Sequence, residues 1–177
     1  DEEVRKAREG GTPIGFHQPG ALMRKDVVVG IGGYRSEFVS AQDIDLWNRI
    51  ADAGGRILVQ PEYLLRYRIH GTQTTVRAAR VTYLRMEWIK QSGIRRRRGL
   101  PEPTFDEFLQ ARRRKPLHKR INDERKLLAK IQYKRATLAY STGRRLQTAW
   151  LSIASSFLDP AYTPGRIRRR LRRSRDA

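Results

Sequence analysis

Cysteine is absent from the 177-residue chain. Disulfide frameworks and thiolate metal sites are thereby excluded, and any metal must be held by oxygen or by one of three histidines. Long apolar runs are absent too. Nothing approaches the roughly 18 consecutive apolar residues that a membrane span needs, and the acidic opening DEEVRKAREGG is no signal peptide. The chain therefore reads as soluble or peripheral, in a location expected to be cytoplasmic, at most against the inner face of a membrane. Aromatic residues make up 8% of the sequence, and few lie among the arginine runs, which weakens the nucleic-acid reading that charge alone invites.

Positive charge is abundant and uneven. The net charge is +20, yet residues 1–75 hold 10 Lys+Arg against 10 Asp+Glu, while residues 76–177 hold 28 against 8. The whole excess lies in the second half. Arginine-rich runs at 95–98, 112–114 and 168–173 attract phosphate of any kind, whether nucleic acid, anionic lipid headgroup or lipid-linked pyrophosphate. The tail GRIRRRLRRSRD has too few apolar residues for firm insertion, so peripheral contact with an anionic membrane ranks ahead of nucleic acid, with a solvated tail as the plain alternative.

TPIGF and PGALMRKDVVVGIGGY alternate short apolar stretches with Pro and Gly, the punctuation of strands and turns. RILVQ and EYLLRYRIH read as two further strands divided by Pro61. Between them Ser40 stands three residues before Asp43 in a capping-box-like pattern. DIDLWNRIADAGG then places Ile44, Trp47, Ile50 and Ala51 at helical spacing until Gly54 and Gly55 end the helix. The expected fold class is α/β over residues 1–75, followed by a basic α-helical extension over 76–177. Within the extension two prolines interrupt RRRRGLPEPTFDEF, and Thr104 is placed to cap a new helix. Residues 121–160 give two helices around Gly143, with Leu128, Ile131, Leu138, Leu146, Trp150, Ile153 and Phe157 as expected packing positions. This resembles a single tetratricopeptide-type hairpin closed by Pro160, although the small residue after the turn, Ala149, falls one place late. One such unit cannot form a solenoid by itself.

Asp43 and Asp45 are the acids that invite a chemical reading. A carboxylate at a helix start after a glycine loop suits a general base, because it can face a ligand; equally, it can accept backbone N–H groups or complement the helix dipole. Residues two apart on a helix point about 200° from each other, so these two acids do not clamp one cation together.

From His17 onward the motifs MRKDV, GGY, QDIDLW, a Gly-Gly pair before an apolar run, and YRIHG follow in order. The series resembles the second half of a family 2 glycosyltransferase catalytic domain of the GT-A, nucleotide-diphospho-sugar transferase-like fold, over residues 17 to about 75. The resemblance implies that Asp43, after Gln42, is the base that deprotonates an acceptor hydroxyl for an inverting transfer. It also sets Gly32, Gly33, Tyr34 and His17 on the acceptor side, against the alternative of an ordinary turn and a structural histidine. Arg66, Arg68 and His70 would contact the donor diphosphate, with His70 also a candidate metal ligand or a plain loop histidine. Asp45 and Trp47 match DLW, Asp45 read as capping or as hydrogen bonding to a neighbouring loop and Trp47 as helix packing, and His118 is read as solvated. The implied cofactor is a divalent cation, Mg or Mn, held mainly by an Asp-x-Asp pair in a nucleotide-binding half that nothing before residue 17 supplies. The chain therefore reads as a piece of a longer or truncated domain.

The expected function is that of a fragment of an inverting glycosyltransferase in cell-surface polysaccharide synthesis. Its partners would be a nucleotide-sugar donor and a glycan or lipid-linked acceptor, and it would be inactive without its missing half. The alternative is a non-catalytic helical interaction module that binds a protein, an anionic membrane or nucleic acid.

Overall fold

The spacing of Ile44, Trp47, Ile50 and Ala51 does produce a helix. The structure is a computed structural model that describes residues 4, 5, 7, 13–16, 18–60, 62, 65 and 78–166. Its helices run in the order α1 (Lys25–Gly30), α2 (Gln42–Asp52), α3 (Ala79–Arg97), α4 (Phe105–Arg113), α5 (Leu117–Ser141) and α6 (Arg145–Leu158). No strand occurs among the described residues. The expected α/β class is therefore corrected to a helical one. The chain divides into two compact units, Asp1–Arg68 with Val81–Gln110, and Ile69–Arg80 with Ala111–Ala177.

In the first unit α2 is the centre of a small core. Leu46, Trp47, Ile50 and Ala51 are buried with Val4 and Ile14, and Phe16, Met23, Val27, Val28, Ile31 and Ile57 pack against them. Each fully buried large side chain contributes roughly 1.5–3 kcal/mol. The expected strand at TPIGF fails for a physical reason: its backbone is already satisfied by side chains of α2. The Ile14 N–H donates to Asn48 Oδ1 and the Ile14 carbonyl accepts from Asn48 Nδ2, both at 3.1 Å, so one amide side chain takes the place of a neighbouring strand. The Trp47 indole likewise donates to the Phe16 carbonyl at 3.1 Å. In MRKDVVVG the valines favour a strand by propensity, yet Val27 and Val28 gain burial on α2 as part of the one-and-a-half-turn helix α1.

The expected cap at Ser40 is also replaced. Ser40 accepts a hydrogen bond from the Thr82 hydroxyl at 3.2 Å, and the N-cap of α2 falls on Ala41, held in the left-handed region at φ 63°. At the other end the Gly55 N–H donates to the Ile50 carbonyl at 2.9 Å and closes the helix. A Cβ on Gly55 would lie 2.6 Å from Ile50 Cγ2 and 2.9 Å from the Ile50 carbonyl oxygen. Gly55→Ala is expected to cost about 1–2 kcal/mol, read as a lower urea midpoint.

A row of rings joins α3 and α4 within the same unit. Phe38 stacks on Trp88 at 4.6 Å between centroids, Trp88 meets Phe105 at 5.3 Å, and Phe105 stacks on Phe108 at 6.0 Å. Thr104 caps α4 as its position suggests. The Thr104 N–H donates to Glu107 Oε2 at 2.7 Å and the Glu107 N–H returns to Thr104 Oγ1 at 3.2 Å.

The second unit is built on an antiparallel hairpin of α5 and α6. Gly143, at φ 74°, permits the left-handed turn, and the Arg144 N–H donates to the Ala139 carbonyl at 2.9 Å. Small residues line the seam: Ala129, Ala136, Ala139 and Ser155 are buried beside Leu127. Ser155 Oγ donates to the Ala129 carbonyl at 2.9 Å and lies 2.8 Å from Thr163 Oγ1. Arg125 on α5 donates to the Leu158 carbonyl, a cation on the negative end of α6.

Candidate functional site

The acids of QDIDLW separate by environment. Asp45 is buried, and its Oδ2 accepts from Arg49 Nε at 2.8 Å with Arg35 Nε 3.8 Å away. Arg49 extends the contact, donating from Nη1 to the Ile31 carbonyl at 2.8 Å and from Nη2 to the Gly33 carbonyl at 2.6 Å. Asp45 is thus part of a clamp that ties α2 to the loop after α1. Asp43 is half-buried in the first turn and its Oδ1 accepts from the Ile44 N–H at 2.9 Å. Burial, and then the charge of Asp43, raise the Tyr34 hydroxyl above its ordinary value.

Gly32 and Gly33 have positive φ and end α1, with the Gly33 N–H donating to the Val28 carbonyl at 2.9 Å. Their conformation is accounted for by that turn and by the carbonyl offered to Arg49. His17, Arg66, Arg68 and His70 lie outside the described residues. Among the described residues no group of three or more His, Cys, Asp or Glu is arranged to hold a metal ion.

Three arginines of the run at 95–98, Arg95, Arg96 and Arg97, are committed inside the first unit. Arg96 donates to Glu102 Oε1 and Oε2 at 2.7 and 3.1 Å and to Asp52 Oδ2 at 2.8 Å, while Arg97 reaches Asp52 Oδ1 at 3.0 Å. Arg35 grips Glu102 from another direction at 3.0 and 3.3 Å. Burial by itself would push the Glu102 carboxyl up, but the hydrogen bonds from Arg96 and Arg35 outweigh it and hold the group at about 2. Arg95 Nε donates to the Pro101 carbonyl at 2.6 Å. Arg95, Arg96 and Arg97 hold the turn after α3 rather than present a phosphate site.

The second unit presents a different surface. Leu146, Trp150, Ile153 and Phe157, expected to pack, are instead 89%, 69%, 62% and 86% exposed. They recur at intervals of four, three and four residues and so form one outward row on α6. The reversal comes from the small-residue face of α6: Ser155 is buried with Thr148, Leu151 and Ser152 half-buried beside it, and this face lets the helix approach the alanines of α5 closely. Arg144 and Arg145, both exposed, stand at its N-terminal end. From Arg145 to Leu158 the helix contains no acidic residue.

No protein-family model matches the chain, and neither curated proteins nor solved structures yielded a match. The resemblance to family 2 glycosyltransferases does not stand. A GT-A domain is organised on a sheet, and among the described residues the motifs MRKDV, GGY, QDIDLW and the Gly-Gly pair lie in helices, turns and irregular backbone, while YRIHG lies outside the described residues. GGY ends a helix, and the second acid and the tryptophan of QDIDLW are engaged in a clamp and a core. No described helix is long and apolar enough to cross a membrane.

Sequence reasoning named the four residues of the α6 row but assigned them to the interior. The signal that separates the two faces is the small-residue series Ala129, Ala136, Ala139 and Ser155, which marks where the helices touch.

Proposed function

We propose that the chain is a non-catalytic helical interaction module whose working surface is the outward row of α6. The reading is supported by four large apolar side chains held together in water by a hairpin that is already packed on its other face. Contiguous apolar surface of this kind marks a docking face in a soluble protein, because covering it releases the free energy that folding left unclaimed. Charge selects the partner's sign. Residues 76–177 hold 28 Lys+Arg against 8 Asp+Glu, so a second copy of the chain is repelled and an anionic partner is attracted. Glycosyl transfer has no remaining support once the resemblance that carried it is removed.

The full chain is to be titrated in parallel with phosphatidylglycerol vesicles, an acidic amphipathic peptide and duplex RNA. Wild type is expected to bind at least one of them, and the double variant Trp150→Ser/Phe157→Ser to lose about tenfold or more in that affinity with unchanged circular dichroism and melting. Loss of helix in the variant would mean that the row is interior. Binding that ignores the substitutions, or no binding at all, would equally overturn the proposal.

A further inference from the structure

We infer that the surface covered by α6 is an anionic phospholipid bilayer, on which the helix lies flat. This rests on the docking-module reading and assigns its partner. The choice is between a lipid surface and an acidic partner helix, because the spacing of Leu146, Trp150, Ile153 and Phe157 also fits a coiled-coil seam. What flanks that seam decides between them. In a helix pair the positions beside the apolar row carry charges that select partner and orientation. Here they are Gln147, Ala149, Ala154 and Ser156, none of them charged. The row has no device for choosing a helix.

A bilayer requires none. It asks for apolar and aromatic side chains that reach roughly 5–10 Å below the headgroups and for cations beside them. Trp150 and Phe157 provide the aromatic part, Leu146 and Ile153 the aliphatic part, and small neutral flanks leave the helix free to settle. Arg144 and Arg145 sit at the N-terminal end of α6, where positive charge opposes the helix dipole. Neither forms an ion pair among the described residues. Their exposed side chains suit phosphate groups at the level of the helix. The arginines of residues 166–175, seven in number by sequence, follow shortly after α6 in the chain and add to the same attraction.

Trp150 supplies the readout. Trp47 and Trp88 are buried, with their indole N–H groups bonded to the Phe16 and Pro103 carbonyls at 3.1 and 2.7 Å, so a change in tryptophan emission on binding reports Trp150. The full-length chain is to be mixed with vesicles of phosphatidylglycerol in phosphatidylcholine, and with phosphatidylcholine alone. The expected result is a blue shift and quenching by brominated acyl chains with the anionic vesicles only, weakened by added salt. Phe157→Ser should lower the affinity about tenfold. Arg144→Gln and Arg145→Gln should each lower it about fivefold at low salt.

The acidic peptide and duplex RNA are run beside the vesicles. A shift with either of them and none with anionic vesicles overturns the lipid assignment and leaves the docking module standing. No row-dependent response to any probe overturns both. A shift with phosphatidylcholine equal to that with the anionic mixture also overturns the assignment, because the arginines would then play no part.

Discussion

Replacing Arg49 by methionine is expected to lower the stability of the first unit by about 3–5 kcal/mol, the largest single loss foreseen in the chain. All three guanidinium nitrogens are engaged: Nε holds Asp45, while Nη1 and Nη2 hold the Ile31 and Gly33 carbonyls. Arg49→Met keeps the apolar stem and removes all three contacts. It leaves Asp45 charged and buried with only Arg35, 3.8 Å away, beside it. The cost is mainly that of the stranded carboxylate, and this is testable by a cycle. Asp45→Leu/Arg49→Met together should cost less than the sum of the two single changes by at least about 1 kcal/mol, because the double variant buries no charge. Urea midpoints of the four proteins give the answer. A loss below about 1 kcal/mol for Arg49→Met would show that the clamp contributes little.

Glu102→Gln is expected to cost about 2 kcal/mol. Its carboxylate is gripped by Arg35 and Arg96 and is held at about 2, below its ordinary value of 4.5. A full conversion of that shift would give more, but Glu102 is 23% exposed and water screens part of the interaction. The sign follows from the folded value lying below the unfolded one. The stabilisation is complete above about pH 4.5 and is lost as the pH falls through the window down to about 2. Wild type should therefore lose stability across that window, while Glu102→Gln, already weaker at neutral pH, should lose less of it. A wild-type curve and a variant curve that run parallel from pH 5 to pH 2 would remove Glu102 as the cause.

Local features of the fold were legible where neighbouring residues decide them. The spacing in DIDLWNRIADAGG gave α2 and its glycine stop, Thr104 gave the start of α4, and Gly143 gave the hairpin turn. Features decided by distant residues were not. Nothing in TPIGF reveals that Asn48 will occupy its backbone, and nothing in VVVG reveals that α2 offers those valines more burial than a neighbouring strand would. The run RRRR reads as a phosphate magnet because its acidic partners, Asp52 and Glu102, can be recognised only once the chain has folded. On α6 the period was right and the side was wrong, since the face that turns inward is the one with the small residues around Ser155, not the row of large apolar side chains. The resemblance failed for a related reason: of its short motifs, GGY and QDIDLW draw on residues with local structural duties, Gly33 in a turn, Asp45 in a clamp and Trp47 in the core.

The contacts that close the first unit also set its tempo. Asn48 to Ile14, Ser40 to Thr82, Asp52 to Arg96 and Arg35 to Glu102 join residues 34, 42, 44 and 67 positions apart. Each such contact requires a long loop to close before it contributes anything. The α5–α6 hairpin closes through a short turn at Gly143 and needs no such search. The hairpin therefore forms ahead of the contacts that close the first unit, and a refolding chain carries α5 already paired with α6 while those distant partners are still being found.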